Sequence, residues 1–125
     1  MKLKHFFQSF KNASRGVVHV YKSEQNFRIQ LFFALGVLLV SYLLQIARSE
    51  LIIVLFLVFL VLGLELLNTI LEKFLDLLKP RLNYQVMIIK DTLAAMVLLA
   101  SFGAFVIGLV IFLPYMIELW YNITT

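Results

Sequence analysis

The chain has 125 residues, of which 62% are apolar and 14% are charged, and its formal net charge is +4. Its mean hydropathy of +0.97 is far above that of a soluble globular domain, so the composition indicates an integral membrane protein. Because cysteine is absent, disulfides, a thiol nucleophile and a cysteine-based metal site are excluded.

Residues 1–23 predict an amphipathic helix. Apolar residues recur at steps of three and four, with basic and polar residues between them: Leu3, Phe6, Phe7, Phe10, Ala13, Val17 and Val20. This pattern is typical of a helix that lies in the cytoplasmic interface of a membrane. Two roles stay open for it, an anchor attracted to anionic lipid or one wall of a site that opens to lipid. It lacks the apolar core and cleavage site of a secretory signal, so we expect it to remain in the mature protein.

Three apolar segments follow, at residues 27–46, 51–71 and 86–117. A helix needs about 20 residues to cross the hydrocarbon core. The sequence therefore predicts a single all-α membrane domain over residues 1–125, with three transmembrane helices. The first break, "ARSE" at residues 47–50, predicts a tight hairpin, and the second contains Pro80, which ends a helix.

The positions of the basic residues predict the orientation. Of the eleven Lys and Arg, six precede or open the first span and four flank the second loop, whereas Arg48 alone lies in the hairpin. Cytoplasmic loops carry the excess of Lys and Arg. We therefore expect the N-terminus and the second loop to be cytoplasmic, and the hairpin and the C-terminus to lie outside.

The second span carries a polar face. Four residues fall within about 80° of one another on a helix, and they are Glu65, Asn68, Glu72 and Asp76. Glu65 would lie roughly 21 Å from the outer end of the span, in the cytoplasmic third of the membrane. An ionised carboxylate at that depth costs a few kcal/mol or more and normally faces a bundle interior or a water-filled cavity. The alternative for Glu65 is a protonated contact between helices.

More charged residues are expected at the same level, because Glu24 and Arg28 open the first span while Lys90 and Asp91 open the third. Carboxylates can hold Mg²⁺ together with substrate phosphates, a lysine can meet phosphate oxygens, and a buried carboxylate can accept a proton from a lipid hydroxyl. These residue types favour phosphoryl transfer at a membrane surface. Structural ion pairs in a non-catalytic membrane scaffold are the alternative. No P-loop motif occurs, and nothing indicates nucleic-acid binding.

The two motifs "ELLNTILEKFLD" at residues 65–76 and "KDTLAAMVLLAS" at residues 90–101 resemble the signature of the prokaryotic diacylglycerol kinase family. Members of that family are small three-span lipid kinases of bacterial membranes. The resemblance extends to "SEQNF", in which Glu24 corresponds to the acidic residue before the first span. It covers essentially the whole chain in size, span order and spacing.

The resemblance implies a role for each matching residue. Glu65 is then the general base that accepts the proton of the lipid hydroxyl, and it contacts the substrate together with Ala94. Glu24 and Glu72 hold the Mg²⁺ that bridges the ATP phosphates. The residues expected to bind ATP are Glu24, Asn68, Glu72, Lys90 and Asp91.

The resemblance also implies an assembly and an acceptor. The family works as a homotrimer with a site at each subunit boundary, in the bacterial inner or plasma membrane. The stretches "QNF" and "IFLP" resemble the Gram-positive branch, which phosphorylates undecaprenol, more than the diacylglycerol branch. Undecaprenol is therefore the favoured acceptor, with diacylglycerol as the alternative.

Overall fold

The computed structural model describes residues 2–78 and 84–125. This part of the chain forms four α-helices and contains no strand: α1 (Lys2–Ser23), α2 (Gln25–Leu44), α3 (Arg48–Leu78) and α4 (Tyr84–Thr124). Lys79, Pro80 and Arg81, which the sequence places in the second loop, lie outside the described residues. The all-α prediction is confirmed.

Helices α2, α3 and α4 are long and apolar enough to cross a membrane, as predicted. They contain 20, 31 and 41 residues. At 1.5 Å per residue, α3 and α4 extend well beyond a hydrocarbon core about 30 Å thick. Helix α3 continues past residue 71 because its polar end, "LEKFLDLL", is rich in good helix formers and lacks Gly and Pro. The polar face of the second span therefore stays on one continuous helix.

The turn between α2 and α3 occupies residues 45–47. Gln45 takes the left-handed conformation, with φ 53°, and the N–H of Ile46 donates to the carbonyl of Ser41 at 3.3 Å. The Glu50 carboxylate accepts the N–H of Ala47 at 3.1 Å, which caps the start of α3. Residues 48–50, expected in the turn, therefore form the first turn of α3 instead.

Helix α3 is the central element, because it packs against each of the other three helices. The buried apolar side chains are few, and they come from all four helices: Val20, Phe27, Ala34, Val54, Val97 and Ile111. Most large apolar side chains of the single chain are exposed, as expected where the surrounding solvent is lipid or a second copy of the chain.

The two ends of the bundle are held by different contacts. At the end expected to be cytoplasmic, Arg28 donates to the carbonyls of Tyr21 and Lys22 at 2.7 and 3.0 Å, which satisfies the last turn of α1. At the opposite end, the Tyr115 hydroxyl donates to the Glu50 carboxylate and accepts the N–H of Ala47 at 3.2 Å. Helix α4 is thereby joined to the α2–α3 turn.

Candidate active site

The polar face of α3 is buried at its centre and open at one end. Glu65, Asn68 and Thr69 are 4%, 9% and 3% exposed. One turn further along, Glu72 is half-buried, and Asp76 is exposed. The exposed fraction therefore rises along this face from Glu65 toward Asp76, so the end that carries Asp76 is the accessible one.

Three carboxylates are near one another at this face. Glu24 and Glu72 lie close enough to Glu65 for their negative charges to act on it. Glu24 occupies the N-cap position of α2, yet its side chain makes no capping hydrogen bond. Its carboxylate oxygens are therefore not used to cap the start of the helix. The structure therefore brings Glu24 and Glu72 near Glu65, as the order of the spans predicts.

The Asn68 side chain bonds to another residue of this face, but one of its two polar atoms has no hydrogen-bond partner among the described residues. Its Nδ2 donates to Glu72 Oε1 at 3.4 Å, while its Oδ1 is buried and has no partner among the described residues. A buried acceptor without a partner costs about 1–3 kcal/mol. An amide oxygen beside carboxylates is also the donor set that hard divalent cations prefer.

The residues present fit a Mg²⁺ that is shared with phosphates. In residues 2–78 and 84–125, no group of three or more His, Asp or Glu is arranged to hold a metal ion by itself. Mg²⁺ in phosphoryl-transfer sites is commonly bound through one or two carboxylates, with substrate phosphates and water completing its octahedron. Glu24 and Glu72 can supply those carboxylates without a protein-only metal cage.

Lys90 lies on α4 beside the open end of the polar face of α3. Its Nζ forms an ion pair with Asp76 across α4 and α3, rather than standing free for a phosphate. The two side chains are 35% and 59% exposed, so this pair contributes at most about 1 kcal/mol to stability. Lys90 can therefore exchange Asp76 for a phosphate oxygen at little cost.

Asp91 and Ala94 make no hydrogen bond or ion pair with Glu65 within the described residues. Both are exposed on α4, and Asp91 makes no hydrogen bond or ion pair with the rest of the described chain. Neighbouring helix positions differ by 100°, so Asp91 points away from the side on which Lys90 meets α3. Within one chain, the structure assembles Glu24, Glu65, Asn68 and Glu72 and leaves Asp91 and Ala94 on an outer surface.

An apolar groove adjoins the buried carboxylate. A cavity of about 650 Å³ lies between α2, α3 and α4, with walls of aliphatic and aromatic side chains such as Val37, Val54 and Phe105. Gln30 and Ser101 are the polar residues in its lining. The Gln30 Nε2 donates to Glu65 Oε2 at 3.4 Å. The Gln30 side chain therefore lies between the groove and the Glu65 carboxylate.

Ser101 lies at the same depth as Glu65. Tyr115 meets Glu50, and Ser101 and Glu65 lie 14 and 15 residues further inward from that contact, which is roughly 21 Å in both helices. The Ser101 Oγ is buried without a partner in the described chain, whereas the Ser41 hydroxyl donates to Val37 O at 2.8 Å. The polar residues of the groove are thus at its inner end.

Sequence reasoning missed Gln30 and Ser101. Each is an isolated polar residue in a long apolar segment, and this is the signal that could have identified them. His19 is exposed, and its Nε2 lies 3.2 Å from Lys73 Nζ. That contact attaches α1 to α3 near the open end of the polar face.

Known proteins resemble this chain over most of its length. The family model described as prokaryotic diacylglycerol kinase matches residues 11–112. An undecaprenol kinase of Bacillus subtilis is 34% identical over 113 residues, which are 90% of this chain and 92% of that protein. A diacylglycerol kinase of Synechocystis sp. is 34% identical over 112 residues, which are 89% of this chain and 64% of that protein. No solved structure shows a significant match.

Proposed function

Since this chain belongs to the prokaryotic diacylglycerol kinase family and is a lipid kinase, we propose that it transfers the γ-phosphoryl group of ATP to undecaprenol. The relative that it matches nearly end to end is an undecaprenol kinase. The observation that carries the proposal is the buried Glu65 carboxylate, 4% exposed, at the inner end of an apolar groove. That arrangement suits a hydrocarbon chain that ends in an alcohol.

Undecaprenol and diacylglycerol differ in shape. Undecaprenol is one isoprenoid chain that ends in a hydroxyl, whereas diacylglycerol carries two acyl chains beside its hydroxyl. A single groove of about 650 Å³ is within the usual size range of ligand sites and can hold the hydroxyl end of one long hydrocarbon chain. Diacylglycerol remains the second candidate, because a diacylglycerol kinase is equally identical, at 34%.

In the proposed reaction, Glu65 accepts the proton of the acceptor's hydroxyl. The hydroxyl oxygen forms a bond to the γ-phosphorus, the bond from that phosphorus to the β–γ bridging oxygen breaks, and ADP leaves with those electrons. Lys90 leaves Asp76 and binds a phosphate oxygen, and Asn68 orients Glu72. Glu24 and Glu72 would hold a Mg²⁺, which supplies charge neutralisation on the phosphates when it is bound.

We also propose that the active unit is a homotrimer in a bacterial membrane, with the N-terminus cytoplasmic and the C-terminus outside. The support is the exposure of Asp91 and Ala94 on α4, which leaves both able to contact the site of a neighbouring copy. The exposed apolar surface of α4 is compatible with such a neighbour.

Labelled ATP tests the acceptor. Purified protein in phospholipid vesicles receives γ-labelled ATP, Mg²⁺ and either undecaprenol or diacylglycerol, and the labelled lipids are separated by chromatography. We expect undecaprenyl phosphate to form faster than phosphatidic acid. Preferential formation of phosphatidic acid would identify diacylglycerol as the acceptor instead. Transfer to neither lipid would support a non-catalytic scaffold.

A further inference from the structure

Gln30 is a polar side chain in the apolar part of α2. It is half-buried, and its amide needs hydrogen-bond partners because an unsatisfied amide in an apolar environment costs several kcal/mol. Its Nε2 donates to Glu65 Oε2 at 3.4 Å, across 35 residues of sequence. Within the described chain, this is the hydrogen bond that the Glu65 carboxylate receives. The contact therefore links the proposed base to a second helix.

The chemistry of the two groups sets the direction of this bond. An ionised carboxylate can only accept, so the amide nitrogen of Gln30, rather than its oxygen, must face Glu65. Engagement of Oε2 fixes the plane of the carboxylate and leaves Oε1 for another donor. The distance of 3.4 Å is long, and catalytic hydrogen bonds commonly tighten only when the substrate is bound.

The same side chain also lines the apolar groove. A lipid alcohol whose chain lies in the groove would end beside Gln30, with its hydroxyl near Glu65. A catalytic base needs its accepting oxygen within about 3 Å of the oxygen that carries the proton, or connected to it through one water. The position of the Glu65 carboxylate relative to the end of the groove is therefore decisive.

We infer that Gln30 is a positioning residue, which holds Glu65 through Oε2 so that Oε1 faces the hydroxyl of a lipid alcohol in the groove. This inference rests on the proposed kinase function. The competing explanation is that Gln30 only joins α2 to α3, as polar side chains often do between membrane helices. The two explanations predict different behaviour when Glu65 itself is changed.

Gln30→Met removes the donor and keeps the size and flexibility of the side chain. We expect kcat for undecaprenol to fall on the order of tenfold, because a misplaced base loses the alignment that proton transfer needs, while the KM for ATP changes less than about twofold. Ser41→Ala is the matched control in the same helix, since the Ser41 hydroxyl bonds its own helix at Val37. It should leave both constants unchanged.

A double-mutant cycle with Glu65→Asp separates positioning from packing. The shorter aspartate cannot reach Gln30, so adding Gln30→Met should change the remaining kcat by less than about twofold. An equal loss in both backgrounds, or wild-type kcat in Gln30→Met alone, would overturn the inference. If Gln30→Met does not yield folded protein, Gln30→Leu replaces it, since leucine also lacks a donor and suits an apolar helix, and the same loss is expected. Absence of transfer by the wild-type protein would instead reject the kinase proposal.

Discussion

The polar groups at the two ends of the helix bundle differ in how completely they are hydrogen-bonded. We call the end with the α2–α3 turn the outer end and the end with Glu65 and Glu72 the inner end. At the outer end, hydrogen bonds join Glu50, Tyr115 and the N–H of Ala47 to one another. At the inner end, Asn68 Oδ1 has no partner in the described chain, and the Gln30–Glu65 and Asn68–Glu72 bonds are both 3.4 Å long. The carboxylates of Glu24 and Glu72 also lie near Glu65 there.

This difference in hydrogen bonding indicates that the outer and inner clusters have different roles. A polar cluster that only holds helices together is expected to satisfy its own donors and acceptors, and the outer cluster does so. The inner cluster has excess acceptors and negative charge, which a divalent cation and the hydrogen-bond donor of a lipid hydroxyl could satisfy. Perturbed or unsatisfied groups of this kind concentrate at functional sites. The predictions below test whether the two ends really differ in this way.

The largest expected effect comes from mixing inactive subunits. If Asp91 completes the site of a neighbouring chain, coexpressed Glu65→Ala and Asp91→Ala should recover activity at about one third of the boundaries in mixed trimers, because one boundary of each mixed ring joins an intact Glu65 to an intact Asp91. Glu65→Ala with Glu72→Ala should stay at background, because these residues belong to one chain's cluster. Dual-tag purification isolates the mixed assemblies. Recovery in neither pair, or in both, would contradict this division of the site.

Removing an inner carboxylate should weaken the binding of metal and nucleotide together. We expect Glu72→Gln and Glu24→Gln each to raise the apparent KM for ATP on the order of tenfold and to require more Mg²⁺, because the cation joins protein to phosphates. The measurement is initial rate against ATP at several Mg²⁺ concentrations. Unchanged constants in both variants would remove these residues from the metal site.

The Lys90–Asp76 pair should matter more for nucleotide than for folding. Lys90→Met is expected to raise the KM for ATP severalfold, because a phosphate contact is lost. Asp76→Asn should leave stability nearly unchanged, since a pair with side chains 35% and 59% exposed is worth at most about 1 kcal/mol. Thermal unfolding and ATP kinetics on both variants check this, and a large stability loss in Asp76→Asn would show a structural role.

The smallest effect on activity is expected at the outer end. Tyr115→Phe removes the hydroxyl that joins α4 to Glu50 and Ala47. The melting temperature should fall by a few degrees, while kcat and the KM for ATP stay at the wild-type values. A marked loss of kcat without loss of stability would mean that the outer cluster takes part in catalysis.

Much of the fold could be predicted from the sequence, because hydropathy and helical period are local properties. The three long helices and the common face of Glu65, Asn68 and Glu72 follow from composition and from spacings of three and four residues. The ends of the helices could not be predicted as well. Apolar character locates a membrane span, but α3 continues through "LEKFLDLL", and the turn falls at Gln45, which adopts a left-handed conformation without being Gly.

The contacts between helices could not be predicted from the sequence pattern. Gln30 meets Glu65 across 35 residues, and Lys90 meets Asp76 across 14, and both depend on how the helices are aligned along their axes. Spacing on a single helix cannot fix that alignment. The convergence of Glu24, Glu65 and Glu72 could be expected from the order of the spans, whereas the outward placement of Asp91 and Ala94 required the packing of α4 on α3.

The central claim is that the inner carboxylate acts in phosphoryl transfer and the outer one does not. The direct measurement is kcat for undecaprenol phosphorylation by Glu65→Gln and Glu50→Gln, two identical changes in the same helix. We expect Glu65→Gln to lower kcat by a factor on the order of 10² or more with little change in ATP binding, and Glu50→Gln to retain wild-type kcat. Near-normal turnover by folded Glu65→Gln, or equal losses in both variants, would contradict the account.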